Sequence, residues 1–363
     1  MTPPTLRRSE AGYSLIELLV ASAVMLVVTG AIFGLMNPSQ GMSQATPEVS
    51  DLQQRMRVTT DTLFKELVMA GAGTYQGPVT GSLVNFFAPI LPRRTGRVNP
   101  DPPTVFRPDA ITLAYIPNTY SQTTISQPMP PQSSELKVND QPNCPSGQEL
   151  CGFVEGMVVL IFDSSGHFDA FEITNVQDSA GHLQHRGQDL THRYESGATV
   201  TQAVSSTIYL DRTTNQLMKY DGGSDERALV DNVVDVQISY FGDPNPPLKP
   251  KPAPGDANCL YDSTGNYIGP DVLPTVDGSL AALTPAMLTN GPFCGGGSNQ
   301  YDPDLLRVRK VRMTVRLQVG SAQLRGTDQT LWRHPGQAQA AQKLVPDYAV
   351  TFEVTPRNLN LAR

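Results

Sequence analysis

The chain has 363 residues, of which 39% are hydrophobic and 17% are charged, so it carries enough apolar side chains to bury a core. Its 30 glycines and 31 prolines indicate many loops and argue against an all-helical bundle. The net charge of −7 gives no support to a nucleic-acid partner, because nucleic-acid binders usually present a basic surface. Four cysteines are too few for a small disulfide-stapled scaffold.

The first predicted element is a membrane-length apolar helix. Residues 18–36 carry no charge, and as an α-helix they span roughly 28 Å, close to the thickness of a bilayer core. Arg7 and Arg8 precede this run, so the positive-inside rule predicts a cytoplasmic N-terminus and an exported remainder. The run is longer than the apolar region of an ordinary signal peptide. A simple signal anchor fits everything except Glu17, an acid at the start of the run with no basic residue nearby.

The residues around Glu17 resemble a known processing signal. Segment 12–20, GYSLIELLV, closely resembles the prepilin signature of type IV pilins and type II secretion pseudopilins. The resemblance implies that a prepilin peptidase cleaves between Gly12 and Tyr13 and methylates the new amine of Tyr13, leaving the apolar helix on the mature chain. One position departs from the pattern, because the family usually has Phe where this chain has Tyr13.

Glu17 gains a role if such helices associate. Residues four apart lie on one helix face, so a positive amine at Tyr13 and the Glu17 carboxylate are expected to point the same way. In a bundle of these helices, the amine of one subunit can pair with Glu17 of a neighbour and fix the registry between them. Removing one partner of a buried ion pair costs on the order of 3–5 kcal/mol. The sequence therefore predicts an assembly ion pair at Glu17.

An amphipathic helix is predicted to follow the apolar one. Residues 46–48 (Thr-Pro-Glu) are typical of a helix start, and Pro38 and Gly41 are expected to kink the chain before it. The glycines of 71–73 end the predicted helix. We expect its apolar stripe to pack on a globular domain rather than to form a coiled-coil stalk. The stripe, with Thr59 filling one gap, consists of Val49, Leu52, Met56, Leu63, Leu67 and Ala70.

From residue 74 onward, alternation of apolar and polar residues predicts β-strands. The fold class is therefore α+β: a long N-terminal helix, membrane-spanning in its first half and amphipathic in its second, packed on a mainly antiparallel sheet. A short helix is a candidate over 337–343. The predicted strands are 110–116, 157–163, 168–176, 207–212, 216–220, 234–240, 311–319 and 350–354.

A large insertion is predicted at 242–303. It holds 11 prolines and 9 glycines in 62 residues and shows no sustained periodicity, which is typical of a long surface loop. The four cysteines allow three disulfide connectivities, and unpaired thiols stay an alternative. We favour the local pairs, because each would staple one otherwise loosely held loop and because disulfides suit an exported domain. These pairs are Cys144–Cys151 and Cys259–Cys294.

Outside the N-terminus, few residues suggest chemistry. His182, His185 and His192 lie in a turn-rich stretch without zinc-ligand spacing, so no metal site is expected. Segments 163–166 and 221–225 lack the spacing of a calcium loop and are expected to be turns. No nucleophile with an assigned base is apparent, so no catalytic residue and no cofactor are expected.

Basic residues concentrate in one strand. Arg307, Arg309, Lys310, Arg312 and Arg316 are expected to form a solvated face, the alternative being a patch for DNA or an acidic subunit.

The C-terminal part of the chain indicates which group within the pilin family it resembles. The chain looks like minor pilins of the PilW type in three segments: the strands 232–242 (NVVDVQISYFG) and 307–319 (RVRKVRMTVRLQV), and the ending 354–361 (VTPRNLNL). The J-type minor pseudopilin of type II secretion is similar in plan. The resemblance implies a non-enzymatic subunit that is anchored in the inner membrane with its domain in the periplasm. It then enters a type IV pilus at or near the tip and helps to initiate assembly.

The predicted domains are a leader (1–12), a transmembrane and assembly helix (13–73) and a β-rich extracytoplasmic domain (74–363). The resemblance implies as partners the prepilin peptidase, other major and minor pilins, the inner-membrane assembly platform and, before assembly, membrane lipid. Two alternatives stay open: a minor pseudopilin of a type II secretion system, and a pilus-borne adhesin or DNA-uptake component that uses the insertion at 242–303.

Overall fold

The structure is a computed structural model, and it describes residues 12–73, 86–96, 98–117, 121–141, 144–223, 225–276, 278–296, 300–338 and 343–360. The chain divides into two compact units. One comprises Met1–Gln53 and Val319–Asp347, and the other comprises Gln54–Gln318 and Tyr348–Arg363. A single long helix followed by antiparallel strands confirms the predicted α+β class.

Helix α1 (Leu15–Met69) runs through both of the helical segments that the sequence predicts. The prediction of a new helix start at 46–48 is wrong, because these residues lie inside α1. A proline within a helix removes one backbone hydrogen bond, and the intact turns on either side can still continue the helix. α1 ends as predicted, just before Gly71, whose φ of 70° is a left-handed conformation that glycine adopts without strain.

Strands make up most of the remaining regular structure. Among the described residues they are β1 (Ile90–Leu91), β2 (Ala110–Tyr115), β3 (Gln122–Thr124), β4 (Glu135–Lys137), β5 (Val158–Phe162), β6 (Phe168–Glu172), β7 (Asn175–Gln177), β8 (His182–Gln184), β9 (Thr199–Gln202), β10 (Val204–Asp211), β11 (Gln216–Tyr220), β12 (Glu226–Asp231), β13 (Val233–Gly242), β14 (Ala281–Leu283), β15 (Val308–Leu317) and β16 (Tyr348–Val354). Short 3-10 helices cover Asp178–Ala180, Met287–Thr289, Pro303–Arg307, Ala322–Leu324 and Arg357–Asn360.

All predicted strands are confirmed except one, which divides. The predicted strand 168–176 is two strands, β6 and β7, and they belong to different sheets. The candidate helix at 337–343 falls mostly on residues 339–342, outside the described residues.

The strands form four sheets rather than the one that the sequence predicts. Their orders are β1-β2-β10-β11-β12, β14-β13-β15-β16, β3-β9-β5-β6 and β4-β8-β7. The strand pairs that build them are antiparallel, as expected. In the second sheet, Val236 lies opposite Val315 and Ile238 opposite Met313, which places the apolar members of both alternations on the same buried face.

Residues 121–202 form a lobe that the sequence does not reveal. They lie between β2 and β10, two strands that pair directly with each other, and they contain the sheets β3-β9-β5-β6 and β4-β8-β7. Among the described residues, their shared core draws only on this stretch, from Ile125 to Val200, and includes buried aromatic rings at Phe153, Phe171 and Tyr194. This 121–202 lobe is therefore an insertion between neighbouring strands with a hydrophobic core of its own.

The predicted insertion at 242–303 is mostly irregular and exposed or half-buried among its described residues, and it has several buried positions. It begins at the end of β13 and returns to that strand, because β14 pairs with residues 240–242. Leu260, Leu288 and Tyr301 are buried within it. The structure contains the two disulfides favoured by the sequence analysis, Cys259–Cys294 in this insertion and Cys144–Cys151 in the 121–202 lobe.

In the second unit, the last turns of α1 are fixed by one buried face and by polar contacts. Leu63 and Leu67 are fully buried, in agreement with the predicted stripe. Glu66 accepts hydrogen bonds from Lys219 of β11 and, at 3.4 Å, from Ser206 of β10. These contacts attach the helix to the first sheet through both apolar and charged side chains.

In the first unit, the described residues of 319–338 and 343–347 include the single tryptophan of the chain. Trp332 is buried, and its indole nitrogen donates a hydrogen bond to the carbonyl of Val345 at 2.7 Å. The backbone of Val345 in turn donates to the carbonyl of Leu324 at 2.8 Å. Gly326 lies so close to the indole that a Cβ at this position would be 2.6 Å from a ring carbon, which only glycine avoids.

We expect Leu63→Ala to lower the free energy of unfolding by about 2–5 kcal/mol, because it opens a cavity in a fully buried position. Phe64→Ala is the matched control, since Phe64 is the next residue of α1 and is 48% exposed. Chemical denaturation of the detergent-solubilised chain, followed by circular dichroism, measures both changes. Equal losses in the two variants would contradict the assigned packing face.

We also expect the two disulfides to contribute unequally. Cys259 and Cys294 are buried and 35 residues apart, whereas Cys144 and Cys151 are 7 apart. In the chain-entropy model the first bond contributes roughly 4 kcal/mol and the second roughly 2 kcal/mol. Thermal melting should therefore show a larger loss of Tm for the C259S/C294S double variant than for C144S/C151S. The reverse order would show that loop entropy does not govern these bonds.

Candidate functional site

The segment that resembles a processing signal lies at the start of α1. Gly12 and Tyr13 are exposed and non-helical, so the peptide bond between them is open to a peptidase. The pairing of a Tyr13 amine with Glu17 stays a prediction. Tyr13 itself lies outside α1, which begins only at Leu15. The reason is local: Ser14 occupies the capping position, where the backbone is not yet helical.

Ser14 and Glu17 cap the helix reciprocally. The backbone N–H of Ser14 donates to Glu17 Oε2 at 2.9 Å, and the backbone N–H of Glu17 donates to Ser14 Oγ at 3.2 Å. This is a capping box, which satisfies two backbone donors that a helix otherwise leaves open. Sequence reasoning treated Glu17 as unpaired and missed Ser14, although the Ser-x-x-Glu spacing was visible. A carboxylate has about four acceptor positions, so the cap leaves Glu17 capacity for a further donor.

The first turns of α1 expose a continuous apolar surface. Leu15–Gly34 is 20 residues long and is long and apolar enough to cross a membrane. Its side chains are all exposed, and Glu17 is the one charged residue in it. Gly30 and Gly34 form a small-xxx-small pattern, and no described atom outside the adjacent turns of α1 lies within 4 Å of either Cβ position. Sequence reasoning missed this pattern, which lets neighbouring membrane helices approach closely.

The three histidines that are close in sequence do not form one cluster. His182 Nδ1 lies 3.6 Å from Glu135 Oε2 on the neighbouring strand. His185 is buried, and its Nδ1 lies 2.7 Å from the carbonyl oxygen of Gln188. Burial lowers the pKa of His185, because the charged form would lose its hydration. His182 and His185 therefore contact different partners and do not share a site.

His192 has a different neighbour, His167, which sequence reasoning overlooked. The two imidazole rings are stacked, with centroids 3.5 Å apart and planes 4° from parallel. Asp163 Oδ2 lies 3.3 Å from His167 Nδ1. The three side chains come from the turn between β5 and β6 and from the loop before β9, so only folding brings His192 to the other two.

The acidic turns form as predicted. Asp221 Oδ1 accepts hydrogen bonds from the backbone N–H groups of Gly223 at 2.7 Å and of Asp225 at 3.2 Å. Asp163 Oδ1 accepts in the same way from Ser165 at 2.9 Å and from His167 at 3.1 Å. In each case the carboxylate stabilises the reversal of its own chain.

Basic residues in and next to β15 form ion pairs within the second unit. The expectation of a solvated face is wrong for Arg307, which is buried in an ion pair with Asp304 at 2.6 Å. Such burial is tolerated because the charge is paired. Lys310 and Arg312 both pair with Glu353, at 3.1 Å and 2.5 Å. Hydrogen bonds from these two side chains hold the pKa of Glu353 below its usual value. Arg307, Lys310 and Arg312 therefore all take part in ion pairs within this unit.

Comparison with protein families gives one match. Residues 7–33 match the model of the prokaryotic N-terminal methylation motif. The match covers the apolar start of α1 and the residues before it, and the rest of the chain lies outside it. No curated protein and no solved structure is detectably similar to the chain. The chain therefore carries a prepilin-like signal, shared by type IV pilin-like proteins, on a domain that the comparisons leave unassigned.

Proposed function

We propose that this chain is a minor pilin of the PilW type, a non-enzymatic subunit that helps to initiate a type IV pilus at or near its tip. The observation that carries the proposal is the methylation motif at 7–33 on a membrane-length helix with an exposed apolar surface. Such a helix can be stored in the inner membrane and later transferred into a filament, because lipid and neighbouring helices both cover apolar side chains.

Processing prepares the subunit for this transfer. Cleavage between Gly12 and Tyr13 removes the leader, keeps the apolar helix and creates a positive amine at Tyr13. Methylation leaves that amine positively charged. The periplasmic position of the remaining chain follows from Arg7 and Arg8 on the cytoplasmic side of the helix.

Glu17 then serves in two ways. In the single subunit it caps α1 together with Ser14, which keeps the carboxylate hydrogen-bonded at the membrane edge. In the filament its remaining acceptor positions receive the Tyr13 amine of a neighbouring subunit. The pair lies in a low-dielectric surrounding of packed helices, where a mismatched register leaves a charge unpaired and is strongly disfavoured. Close approach at Gly30 and Gly34 supports the same packing.

A minor pseudopilin of a type II secretion system would use the same helix and the same ion pair. Partner subunits distinguish the two proposals. A pilus subunit co-purifies with the major pilin and the other minor pilins, whereas a pseudopilin co-purifies with the pseudopilins of the secretion system.

The mature N-terminus tests the processing step directly. We expect intact-mass and peptide analysis of the native protein to show a chain that begins at Tyr13 and carries one methyl group on its amine. In a strain without the prepilin peptidase the chain should keep Met1. A native protein that begins at Met1, or that lacks the apolar helix, would overturn the proposal.

Substitutions at the start of α1 separate the ion pair from the cap. Glu17→Gln keeps the cap, because Gln also serves in a capping box, but removes the charge. We expect its incorporation into sheared filaments to fall on the order of 100-fold, the factor that corresponds to about 3 kcal/mol. Glu17→Ala removes both functions and should be blocked as well, while circular dichroism shows an intact β-rich domain.

Ser14→Ala is the matched control, because it removes a capping hydroxyl and keeps the charge. It should cost about 1 kcal/mol of helix stability and leave incorporation near the wild-type level. Wild-type incorporation of Glu17→Gln, together with loss for Ser14→Ala, would show that the cap and not the ion pair matters.

A further inference from the structure

A group of metal-ligand side chains lies at the edge of the 121–202 lobe, far from the N-terminal signal in sequence. Asp163, His167 and His192 offer one carboxylate and two imidazoles, and their ligand atoms all lie within 4.8 Å of one another. Each of the three residues is half-buried. The other strand-edge histidine beside an acid, His182 with Glu135, has no such third member among the described residues.

The carboxylate is held in place before any ion arrives. Asp163 Oδ1 is occupied by the backbone N–H groups of Ser165 and His167, which fixes the side chain in its turn. Asp163 Oδ2 is directed at His167 and lies 3.3 Å from its Nδ1. A carboxylate beside an imidazole nitrogen is a common arrangement in metal sites, because each group can act as a ligand or orient the other.

The two imidazoles stack face to face, and Tyr194 packs edge-on against His192 with ring centroids 5.8 Å apart. An imidazole binds a metal in the plane of its ring. The stacked rings therefore have to turn about their side-chain torsions to share one ion. Metal binding should replace the stack, which provides a structural readout besides affinity.

The surrounding chain shows what an ion here would connect. Gly296 of the 242–303 insertion lies next to both histidine side chains, since a Cβ at Gly296 would lie 3.6 Å from His167 Cδ2 and 3.6 Å from His192 Cβ. The site thus lies where the β5–β6 turn, the loop before β9 and the disulfide-bonded insertion meet. An ion bound to the first two segments would fix the surface on which the insertion rests.

We propose that Asp163, His167 and His192 bind one divalent transition-metal ion of the Zn²⁺ type, with water completing the coordination. Two imidazoles and one carboxylate suit Zn²⁺ and its neighbours Co²⁺, Ni²⁺ and Cu²⁺, whereas Ca²⁺ and Mg²⁺ prefer sets made of oxygen alone. Three protein ligands with an open fourth position are an established zinc arrangement. The site is independent of the proposed role in pilus assembly, so failure of one leaves the other standing.

The experiment uses the full chain, purified in detergent and stripped of metal with a chelator. Titration with Zn²⁺ by isothermal calorimetry should show one ion per chain. His167→Ala and His192→Ala should each weaken binding by at least about tenfold, since even the loss of an outer partner of a ligand costs that much. His182→Ala is the matched control and should bind Zn²⁺ like the wild type.

Three further measurements guard against misfolded variants. Asp163→Asn preserves the turn acceptor and should still weaken Zn²⁺ binding. Saturating Zn²⁺ should raise the Tm of the wild type and of His182→Ala but not that of the ligand variants. Bound Co²⁺ should give visible d–d absorption bands, and these bands should disappear in His192→Ala. The proposal is overturned if the wild type binds no stoichiometric Zn²⁺, or if the ligand variants bind it as tightly as the wild type.

Discussion

The exposed apolar surface on the first turns of α1 limits where this protein can exist, because the described residues of the chain do not cover it. From Leu15 to Gly34 every side chain is exposed, and burying a large apolar side chain is worth about 1.5–3 kcal/mol. Water is therefore a poor solvent for this part of the molecule. A bilayer or a bundle of similar helices can cover this surface. In the proposed function, the helix is transferred from the bilayer into such a bundle.

Ser14 and Glu17 make that transfer physically reasonable. A helix that starts at the edge of a membrane must satisfy its first backbone N–H groups, and an acid there must find a donor. The reciprocal cap meets both needs within a single chain. In the proposed filament, Glu17 gains a charged partner without giving up the cap, because a carboxylate has more acceptor positions than the cap uses. One side chain thus links helix stability to subunit registry.

In the β-rich part, two large insertions lie between strands that pair with each other. The 121–202 lobe interrupts the paired strands β2 and β10, and the 242–303 insertion separates β13 from its partner β15. The entropic cost of closing a loop rises only slowly with the length of the loop. In each of these two insertions, buried side chains and a disulfide offset part of that cost. The histidine pair lies where the lobe and the insertion meet, which is a natural position for an additional cross-link.

Local patterns in the sequence were sufficient to predict several features of the fold. The apolar run, the buried stripe of α1 and most strands follow from spacings of 3.6 or 2 residues, and the signal around Gly12, Tyr13 and Glu17 is contiguous. The folded structure was needed to show which strands share a sheet, that Arg307 is buried, and that His192 lies beside His167 and Asp163 rather than His182. These outcomes depend on contacts between residues distant in the chain, and no local pattern records which distant segment fills a given space.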